Sequence, residues 1–183
     1  MQMLDKFKLP IGFRGRSSFY VQTWWLVQST LFFLSPQFMY GWRRFLLRLF
    51  GANIGSGVLI RPTVRITYPW KVVIGHHAWI GDDVVLYSLG TIIIGSHSVI
   101  SQRSYICAGS HDVASKEFRI IAEPIIVEEG VWVASDVFVA PGVTIGKNSV
   151  IGARSSVFSD VKPDYIYMGT PAKAVRERVF NDK

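Results

Sequence analysis

A branched aliphatic residue returns every six positions through most of this chain, and a small residue usually follows four positions later. This period fits neither a 3.6-residue helix nor simple strand alternation over such a length, but it is expected of a parallel β-helix with three hexapeptides in each triangular coil. An ordinary β-sandwich would have to match every one of these positions by coincidence. The aliphatic positions are Ile54, Ile60, Ile66, Ile74, Ile80, Leu86, Ile94, Ile100, Ile106, Val127, Val133, Val139, Ile145, Ile151 and Val157.

The period is broken in a few places, and each break predicts a departure from the regular coil. After Ile66 and after Leu86 the step is eight residues, so two extra residues should bulge at one corner. After Ile106 the step is twenty-one residues, which predicts an extruded loop over 111–126. We therefore predict an all-β fold over 54–162 with about five coils, roughly 24 Å tall at about 4.8 Å per coil.

Glycine directly follows the core aliphatic in several hexapeptides. We expect it there because the absent Cβ tolerates a sharp bend at the corner. These glycines are Gly55, Gly75, Gly81, Gly95, Gly146 and Gly152.

Residues 1–53 do not repeat, and their apolar runs predict two helices, over 20–34 and 38–50, separated by Pro36. The longest apolar run is far shorter than the roughly 18 residues that a membrane span needs. Two compatible roles are open for these helices: to cover the open end of the β-helix, or to dock on an anionic membrane surface as a peripheral association. The residues concerned are Trp24, Trp25, Phe32, Phe33 and Trp42, with Arg43, Arg44 and Arg48.

Composition and charge narrow the class of partner. The 183 residues suit one domain, and a net charge of +7 with a pI near 9.7 indicates an anionic partner such as acidic lipid, a sugar nucleotide or a coenzyme polyphosphate. No nucleic-acid-binding pattern occurs in the sequence, so no nucleic-acid partner is expected. The lone Cys107 excludes an internal disulfide and suits a reducing cytoplasm, with the inner face of the membrane as the alternative location.

His111 is the candidate for chemistry. It lies in the last position of a hexapeptide, where side chains face outward, and the extruded loop begins there. An imidazole can act as a general base near neutral pH. The alternative is a plain surface histidine.

Several motifs in one order resemble a known family, the left-handed β-helix acyltransferases of the galactoside, maltose and chloramphenicol acetyltransferase group. The resemblance covers nearly the whole chain, and within the group it is strongest to the colanic acid biosynthesis O-acetyltransferases. The shared motifs are GSHD at 109–112, VWVASDVFVAPGVTIG at 131–146, IGARSSV at 151–157 and GTPAKAVRER at 169–178, with ITYPW at 66–70, GDDVVLYSLG at 81–90, SYICAGSHD at 104–112 and the LVQSTLFFLSPQ helix.

The resemblance implies a left-handed β-helix and a homotrimer, with active sites in grooves between neighbouring prisms. It implies acetyl-coenzyme A as co-substrate, lying along the coils, and a carbohydrate acceptor, namely a sugar hydroxyl of an exopolysaccharide unit. Whether that sugar is free, nucleotide-linked or lipid-linked is left open. A xenobiotic or small-sugar acceptor, as in antibiotic-acetylating relatives, is the alternative.

The resemblance also assigns roles to individual positions. His111 matches the base that takes a proton from the acceptor hydroxyl before direct attack on the thioester. Trp132 matches the aromatic beside the pantetheine arm, and the backbone N–H of Ser135 matches a donor to the oxyanion. The coenzyme positions are Ala134, Gly152 and Ala153 for the pantetheine and Lys173 and Arg176 for the phosphates, the latter two in a C-terminal coenzyme-binding tail over 163–183.

Some positions depart from the family or stay unassigned. Phe158 and Ser159 stand where many relatives have Thr-Lys, and Ala134 stands where glycine is common. Asp5 is too isolated to assign as an acceptor-binding carboxylate. The group that orients His111 is open between a backbone carbonyl and Asp112.

Other functions use the same fold or the same residues. A γ-class carbonic anhydrase binds zinc through three histidines. His77 and His97 lie in equivalent positions one coil apart, but the close histidine pair expected near His111 is missing, so no metal is expected. A non-catalytic scaffold is disfavoured by His111 and the coenzyme-like tail. Cys107 as a covalent acetyl carrier is disfavoured because it lies beside the inward-facing Ile106.

Overall fold

The structure is a computed structural model that describes residues 1–181. A helical cap lies before the first coil. Helix α1 spans Ser18–Val27 and runs on as a π-helical turn over Gln28–Phe32, while helix α2 spans Tyr40–Leu49. The side chain of Ser17 accepts a hydrogen bond from the N–H of Tyr20 and starts α1. Both helices predicted from the sequence are thus confirmed. No helix within residues 1–181 is long and apolar enough to cross a bilayer.

Short strands then follow one another around a triangular prism, three to a coil. A 3₁₀ turn over Leu4–Lys6 precedes the cap and another over Pro69–Lys71 precedes the second coil. The strands of the five complete coils are β1 (Asn53–Ile54), β2 (Leu59–Ile60), β3 (Arg65–Ile66); β4 (Val72–Ile74), β5 (Trp79–Ile80), β6 (Val85–Tyr87); β7 (Ile92–Ile94), β8 (Val99–Ile100), β9 (Tyr105–Cys107), followed by the hairpin β10 (Ser110–His111) and β11 (Ile120–Ile121); β12 (Ile125–Val127), β13 (Trp132–Val133), β14 (Phe138–Val139); β15 (Thr144–Ile145), β16 (Val150–Ile151) and β17 (Ser156–Val157). The chain ends with β18 (Tyr165–Met168) and β19 (Lys173–Glu177).

Equivalent strands of successive coils pair in parallel and form three sheets, one for each face of the prism. Sheet 1 contains β1, β4, β7, β12 and β15; sheet 2 contains β2, β5, β8, β13, β16, β18 and β19; sheet 3 contains β3, β6, β9, β14 and β17. The register places each core aliphatic on its counterpart, as where Ile74 pairs with Ile94 and Ile94 with Val127. These side chains fill the interior and are almost fully buried. The predicted all-β left-handed parallel β-helix is thereby confirmed.

The breaks in the period have the predicted consequences. The eight-residue steps are taken up by the 3₁₀ turn at Pro69–Lys71 and by a turn at 88–90. The twenty-one-residue step forms a loop whose root is the antiparallel hairpin, in which His111 pairs with Ile120. This hairpin leaves the prism at the corner between sheets 3 and 1.

The recurring glycines were expected to allow a sharp bend at the corner, and that expectation was wrong. A Cβ on Gly55 would lie 2.7 Å from the backbone N of His76, and one on Gly75 would lie 2.5 Å from the backbone N of Ser96. Glycine is therefore required there by the close approach of the next coil. The bend itself falls on other residues, such as His77, which has φ 57°.

Arginines of α2 close the N-terminal edge of two sheets. The Arg43 Nε–H donates to the carbonyl of Ile60 at 2.6 Å, and the Arg48 guanidinium donates to the carbonyl of Ile54 at 2.7 Å. Arg43 is fully buried and also donates to Ser35 Oγ at 2.8 Å. Arg43 therefore cannot dock on lipid as hypothesised, because it is fully buried, and Arg44 also donates to an edge carbonyl, that of Val58 at 2.7 Å. Arg48 is exposed, and its docking on lipid stays a hypothesis.

Helix α1 and the π-helical turn close the same edge of sheet 3. The indole N–H of Trp24 donates to the carbonyl of Ile66 at 2.8 Å, and Gln28 Oε1 accepts from the N–H of Ile66 at 2.6 Å. Trp24 and Phe32 are fully buried over the first coil. The cap thus buries the open end of the core, which is one of the two roles that the sequence left open.

The C-terminal end is closed by the chain that follows the fifth coil. Strand β18 continues sheet 2 in parallel and begins a sixth coil, and β19 folds back on it antiparallel. At sheet 1 the carbonyl of Val161 accepts from the N–H of Gly146 at 2.9 Å. At sheet 3 the N–H of Ala172 donates to Ser156 and the N–H of Ser156 donates to Gly169. Both ends of the prism therefore have partners for their edge strands.

Candidate active site

The hairpin holds His111 by one nitrogen and leaves the other free. His111 Nδ1 lies 2.8 Å from the carbonyl oxygen of Phe118. A carbonyl can only accept, so Nδ1 carries the proton and Nε2 keeps its lone pair. The carboxylate of Asp112 accepts instead from the N–H of Ala114 at 2.9 Å. Of the two candidates for orienting His111, the structure selects the backbone carbonyl.

Two aromatic rings fix the plane of this imidazole. The ring of Phe118 is stacked on it with centroids 3.7 Å apart, and the edge of Phe7 approaches it at 5.9 Å between centroids. Phe7 belongs to the N-terminal segment, which is joined to the loop by a hydrogen bond from the N–H of Met3 to the carbonyl of Lys116. His111 is half-buried as a result. Neither aromatic contact was predicted, because both depend on a loop conformation that carries no repeat.

The predicted coenzyme positions lie on another part of the prism, along sheet 2. Trp132 projects from β13, is about half exposed and donates its indole N–H to Ser101 Oγ at 3.0 Å. Ala134 and Ser135 follow at the corner between sheets 2 and 3, and the backbone N–H of Ser135 has no acceptor among residues 1–181. That N–H is available to a ligand at the same edge as the indole.

The other residues predicted to contact the coenzyme lie further along the same sheet. Gly152 and Ala153 occupy the equivalent places one coil further on. Ala153 is exposed, whereas Gly152 is buried under Met168, whose Cγ lies 2.6 Å from where a Cβ would stand. Lys173 and Arg176 are exposed on β19. From β13 through β16 and β18 to β19 the predicted residues follow one sheet over about 14 Å.

Within one chain, the structure does not bring His111 to Trp132. The hairpin leaves the corner between sheets 3 and 1, while Trp132 projects from sheet 2, and in a triangular prism that corner faces away from the second sheet. In one chain, the proposed base thus lies at one edge of the prism, and the residues predicted to contact the coenzyme lie on the opposite face. We call these residues, from Trp132 to Arg176, the coenzyme line.

A cavity of about 310 Å³ lies beside Trp132 on sheet 2 and was missed in the sequence. Its floor is Val99, whose strand lies between those of Trp79 and Trp132. Polar side chains border it: Arg61 and Asp82 form an ion pair at 3.3 Å. The other lining residues include Tyr40, Ser101 and Gln102. The sequence did contain a signal for this cavity, because Trp79 and Trp132 occupy the same position in their hexapeptides and so lie on the same face of the prism.

The histidines considered for a metal form a stacked pair. The rings of His77 and His97 are 5.2 Å apart between centroids, as their equivalent positions predicted. His76 Nδ1 lies 2.8 Å from Ser56 Oγ. Within the described residues 1–181, no three His, Cys, Asp or Glu side chains are grouped so that they could hold a metal ion.

Cys107 lies on the outer side of β9 and is half-buried. Its Sγ donates to the carbonyl of Gly109 at 3.1 Å. Burial raises the pKa of the Cys107 thiol, and the bond to Gly109 only partly opposes this shift. The thiol therefore stays protonated at neutral pH, which disfavours it as a nucleophile.

Comparison of the sequence with known proteins adds to this geometry. Residues 124–159 match the family described as bacterial transferase hexapeptide, six repeats. The chain is 60% identical over 179 residues to the protein assigned as colanic acid biosynthesis acetyltransferase WcaF of Escherichia coli (strain K12), covering 98% of each chain. It is 31% identical over 144 residues to a galactoside O-acetyltransferase of the same organism, covering 77% of this chain and 71% of the relative.

Solved structures share the fold. A hexapeptide-repeat acetyltransferase of Vibrio cholerae O1 biovar eltor, in complex with acetyl-coenzyme A, superposes with a TM-score of 0.82 at 26% identity and covers 97% of each chain. Nearly the whole chain therefore has a structural counterpart in that protein at the level of the fold.

Proposed function

Since the chain belongs to the hexapeptide-repeat acetyltransferases, we propose that it transfers the acetyl group of acetyl-coenzyme A to a sugar hydroxyl of an exopolysaccharide unit, with His111 as the general base. The observation that carries the proposal is the single hydrogen bond from Nδ1 to Phe118, which leaves Nε2 free to accept a proton. The relatives support the acceptor class, since one is assigned to colanic acid biosynthesis and another is a galactoside O-acetyltransferase. The lone cysteine supports a reducing, cytoplasmic location.

In the proposed reaction, Nε2 of His111 takes the proton of the acceptor hydroxyl as its oxygen attacks the thioester carbonyl. The backbone N–H of Ser135 donates to the oxyanion that forms. When the tetrahedral intermediate collapses, the C–S bond breaks and the imidazolium returns its proton to the leaving thiolate. The acetyl ester and the free coenzyme thiol are the products, and His111 regains its starting state.

The separation of His111 from Trp132 within one chain supports a homotrimer with its sites between neighbours. The proposed mechanism needs the base of one prism to face the coenzyme line of another. Three-fold packing of prisms side by side meets this need three times, because each corner carrying His111 can meet a neighbour's sheet 2. In a monomer, the base and the residues predicted to bind the coenzyme would not meet.

We assign the cavity on sheet 2 to the acceptor sugar. A pyranose presents both apolar C–H faces and hydroxyls, and Trp79 offers an aromatic face beside the charged pair of Arg61 and Asp82. Val99, which lines the cavity, pairs with Trp132, which we assign to the pantetheine arm. Ala134, Gly152 and Ala153 follow as pantetheine positions, with Lys173 and Arg176 at the phosphates.

The test is an acceptor screen with acetyl-coenzyme A, scored by release of free thiol and by product mass. Soluble sugars, sugar nucleotides, lipid-linked sugars and chloramphenicol form the panel. We expect one acetyl group on a sugar for each thiol released. Thiol release without an acetylated sugar, or acetylation of chloramphenicol alone, would contradict the proposed acceptor.

A further inference from the structure

The charge of this chain is distributed very unevenly. Residues 6–81 contain ten Lys and Arg residues and no Asp or Glu, whereas 82–183 contain ten basic and twelve acidic residues. Among residues 1–181, the only ion pair made by any of the first ten cations is that of Arg61 with Asp82. The net charge is therefore +10 for residues 6–81 and −2 for residues 82–183, although Arg43, Arg44 and Arg48 are also held by edge carbonyls. The positive charge of residues 6–81 attracts an anionic surface.

The cap carries large apolar side chains on its outer side as well as on its inner side. Its inner side chains, such as Trp24, Phe32 and Leu47, are buried on the first coil. Seven outer side chains of the cap are also large and apolar and are more than half exposed, among them Phe19 at 82% and Phe38 at 80%. We call this surface the outer cap face, and it consists of Phe19, Leu26, Leu31, Leu34, Phe38, Phe45 and Leu49. Polar side chains such as Gln22 and Arg48 are exposed as well.

Apolar side chains on both sides of a helix need a second apolar environment beyond the core. A symmetric contact with a second copy would bring two cationic ends together, which like-charge repulsion opposes. An anionic bilayer satisfies both features, because its acyl region takes the apolar side chains and its headgroups face the cations. We propose that the outer cap face lies on an anionic lipid surface, so that the enzyme is a peripheral membrane protein.

The position of this face bears on the acceptor. Tyr40, at the start of α2, lines the sheet 2 cavity, and Phe38 of the outer cap face is two residues before it. A sugar attached to a lipid would therefore meet the cavity at the membrane surface. This consequence, that the acceptor is lipid-linked, rests on the proposed function, whereas docking of the cap does not.

Flotation of the full-length protein with vesicles tests the docking directly. We expect binding to phosphatidylglycerol/phosphatidylcholine vesicles, weaker binding as salt is raised, and little binding to phosphatidylcholine alone. The triple variant Phe19→Ser, Leu34→Ser, Phe38→Ser should lose at least about tenfold in vesicle affinity. The control is Val113→Ser, Val179→Ser, Phe158→Ser, which removes exposed apolar side chains elsewhere and should bind like the wild type.

Three results would overturn the proposal. The first is the absence of salt-sensitive binding to anionic vesicles. The second is an equal loss of binding in the triple variant and its control. The third is a lower oligomer mass of the triple variant in lipid-free buffer together with no vesicle binding by the wild type, which would assign the face to a second copy. Turnover with a soluble sugar is measured in parallel. If the whole acceptor panel, lipid-linked sugars included, gives no turnover while vesicles are bound, the proposed function fails and the docking stands.

Discussion

The ring of Phe118 lies flat on the ring of His111, with centroids 3.7 Å apart and planes 11° apart, while its own carbonyl holds Nδ1 at 2.8 Å. One residue thus fixes both the plane and the tautomer of the proposed base. The backbone of Phe118 is in the left-handed region, with φ 53°, which turns its carbonyl back toward the hairpin. The proposed catalytic geometry therefore depends on a loop residue to which the proposed mechanism gives no chemical step.

Removing the stacked ring should slow the proposed reaction without abolishing it. Phe118→Ala keeps the carbonyl but frees the imidazole to tilt, so we expect kcat to fall about tenfold with an unchanged KM for acetyl-coenzyme A. The pH profile of kcat should shift, which a purely structural role would not cause. Phe118→Tyr should restore the rate. A fall in KM and kcat with the same pH profile would contradict a positioning role.

Replacement of the base itself should have a larger effect. We expect His111→Ala to lower kcat by about 100-fold or more, the usual contribution of a general base. Oligomer mass, coenzyme affinity and Tm should stay near the wild type, because His111 lies outside the core. His97→Ala is the matched control, a histidine at another corner of the prism. A rate near wild type with a verified acceptor would remove His111 from the mechanism.

The tail should discriminate between two acetyl donors. Lys173→Ala with Arg176→Ala should raise the KM for acetyl-coenzyme A by about tenfold and leave acetyl-pantetheine, which lacks the nucleotide phosphates, nearly unchanged. Lys147→Ala is the control, since Lys147 is a cation of the fifth coil that pairs with Glu129. Equal losses for both donors would place the phosphates elsewhere.

Stability should depend on the buried guanidinium of the cap. Arg43→Met removes the donor to Ile60 and to Ser35 and leaves buried acceptors without partners. We expect the free energy of unfolding to fall by at least about 2 kcal/mol. Arg65→Met, at an exposed site of the first coil, should change it by less than about 0.5 kcal/mol. Chemical denaturation followed by tryptophan fluorescence measures both, and similar values for the two variants would show that the Arg43 contacts contribute little.

The thiol of Cys107 should react slowly at neutral pH. Because burial raises its pKa, the thiol keeps its proton to higher pH than a free cysteine does. The rate of alkylation by iodoacetamide in the folded protein should therefore reach its midpoint at a higher pH than the rate for glutathione. In denaturant the two midpoints should coincide. Cys107→Ser should retain turnover within about twofold, and a large loss would revive the covalent carrier hypothesis.

The coils could be predicted from the sequence because their pattern is local and repeated. Each core aliphatic, such as Ile74, is specified by its own position and confirmed by its neighbours six residues away. The eight-residue steps and the loop before Val127 were visible as interruptions of that repeat. A regular period thus predicts the fold, and interruptions of the period predict where the regular coil is broken.

Less of the candidate site could be predicted from the sequence, because its contacts join residues that are far apart in the chain and follow no period. Nothing near His111 in the sequence indicates that Phe7 reaches it, or that the carbonyl of Phe118 orients it. The same holds for Arg43, which a sequence pattern places on a cationic helix face and the structure buries under Ile60. The position of a long side chain depends on which acceptors the fold leaves unpaired.

A stack of identical coils has no intrinsic length, since every edge strand offers the next copy a ladder of free N–H and C=O groups. Here side chains of the cap satisfy that ladder at one end. At the other end, the chain after the fifth coil covers the coil, and the last strand of sheet 2, β19, carries exposed charged side chains that oppose pairing with another copy. These features disfavour the end-to-end joining of two molecules into a fibre. The same feature that completes the fold keeps a protein made of stackable parts from polymerising.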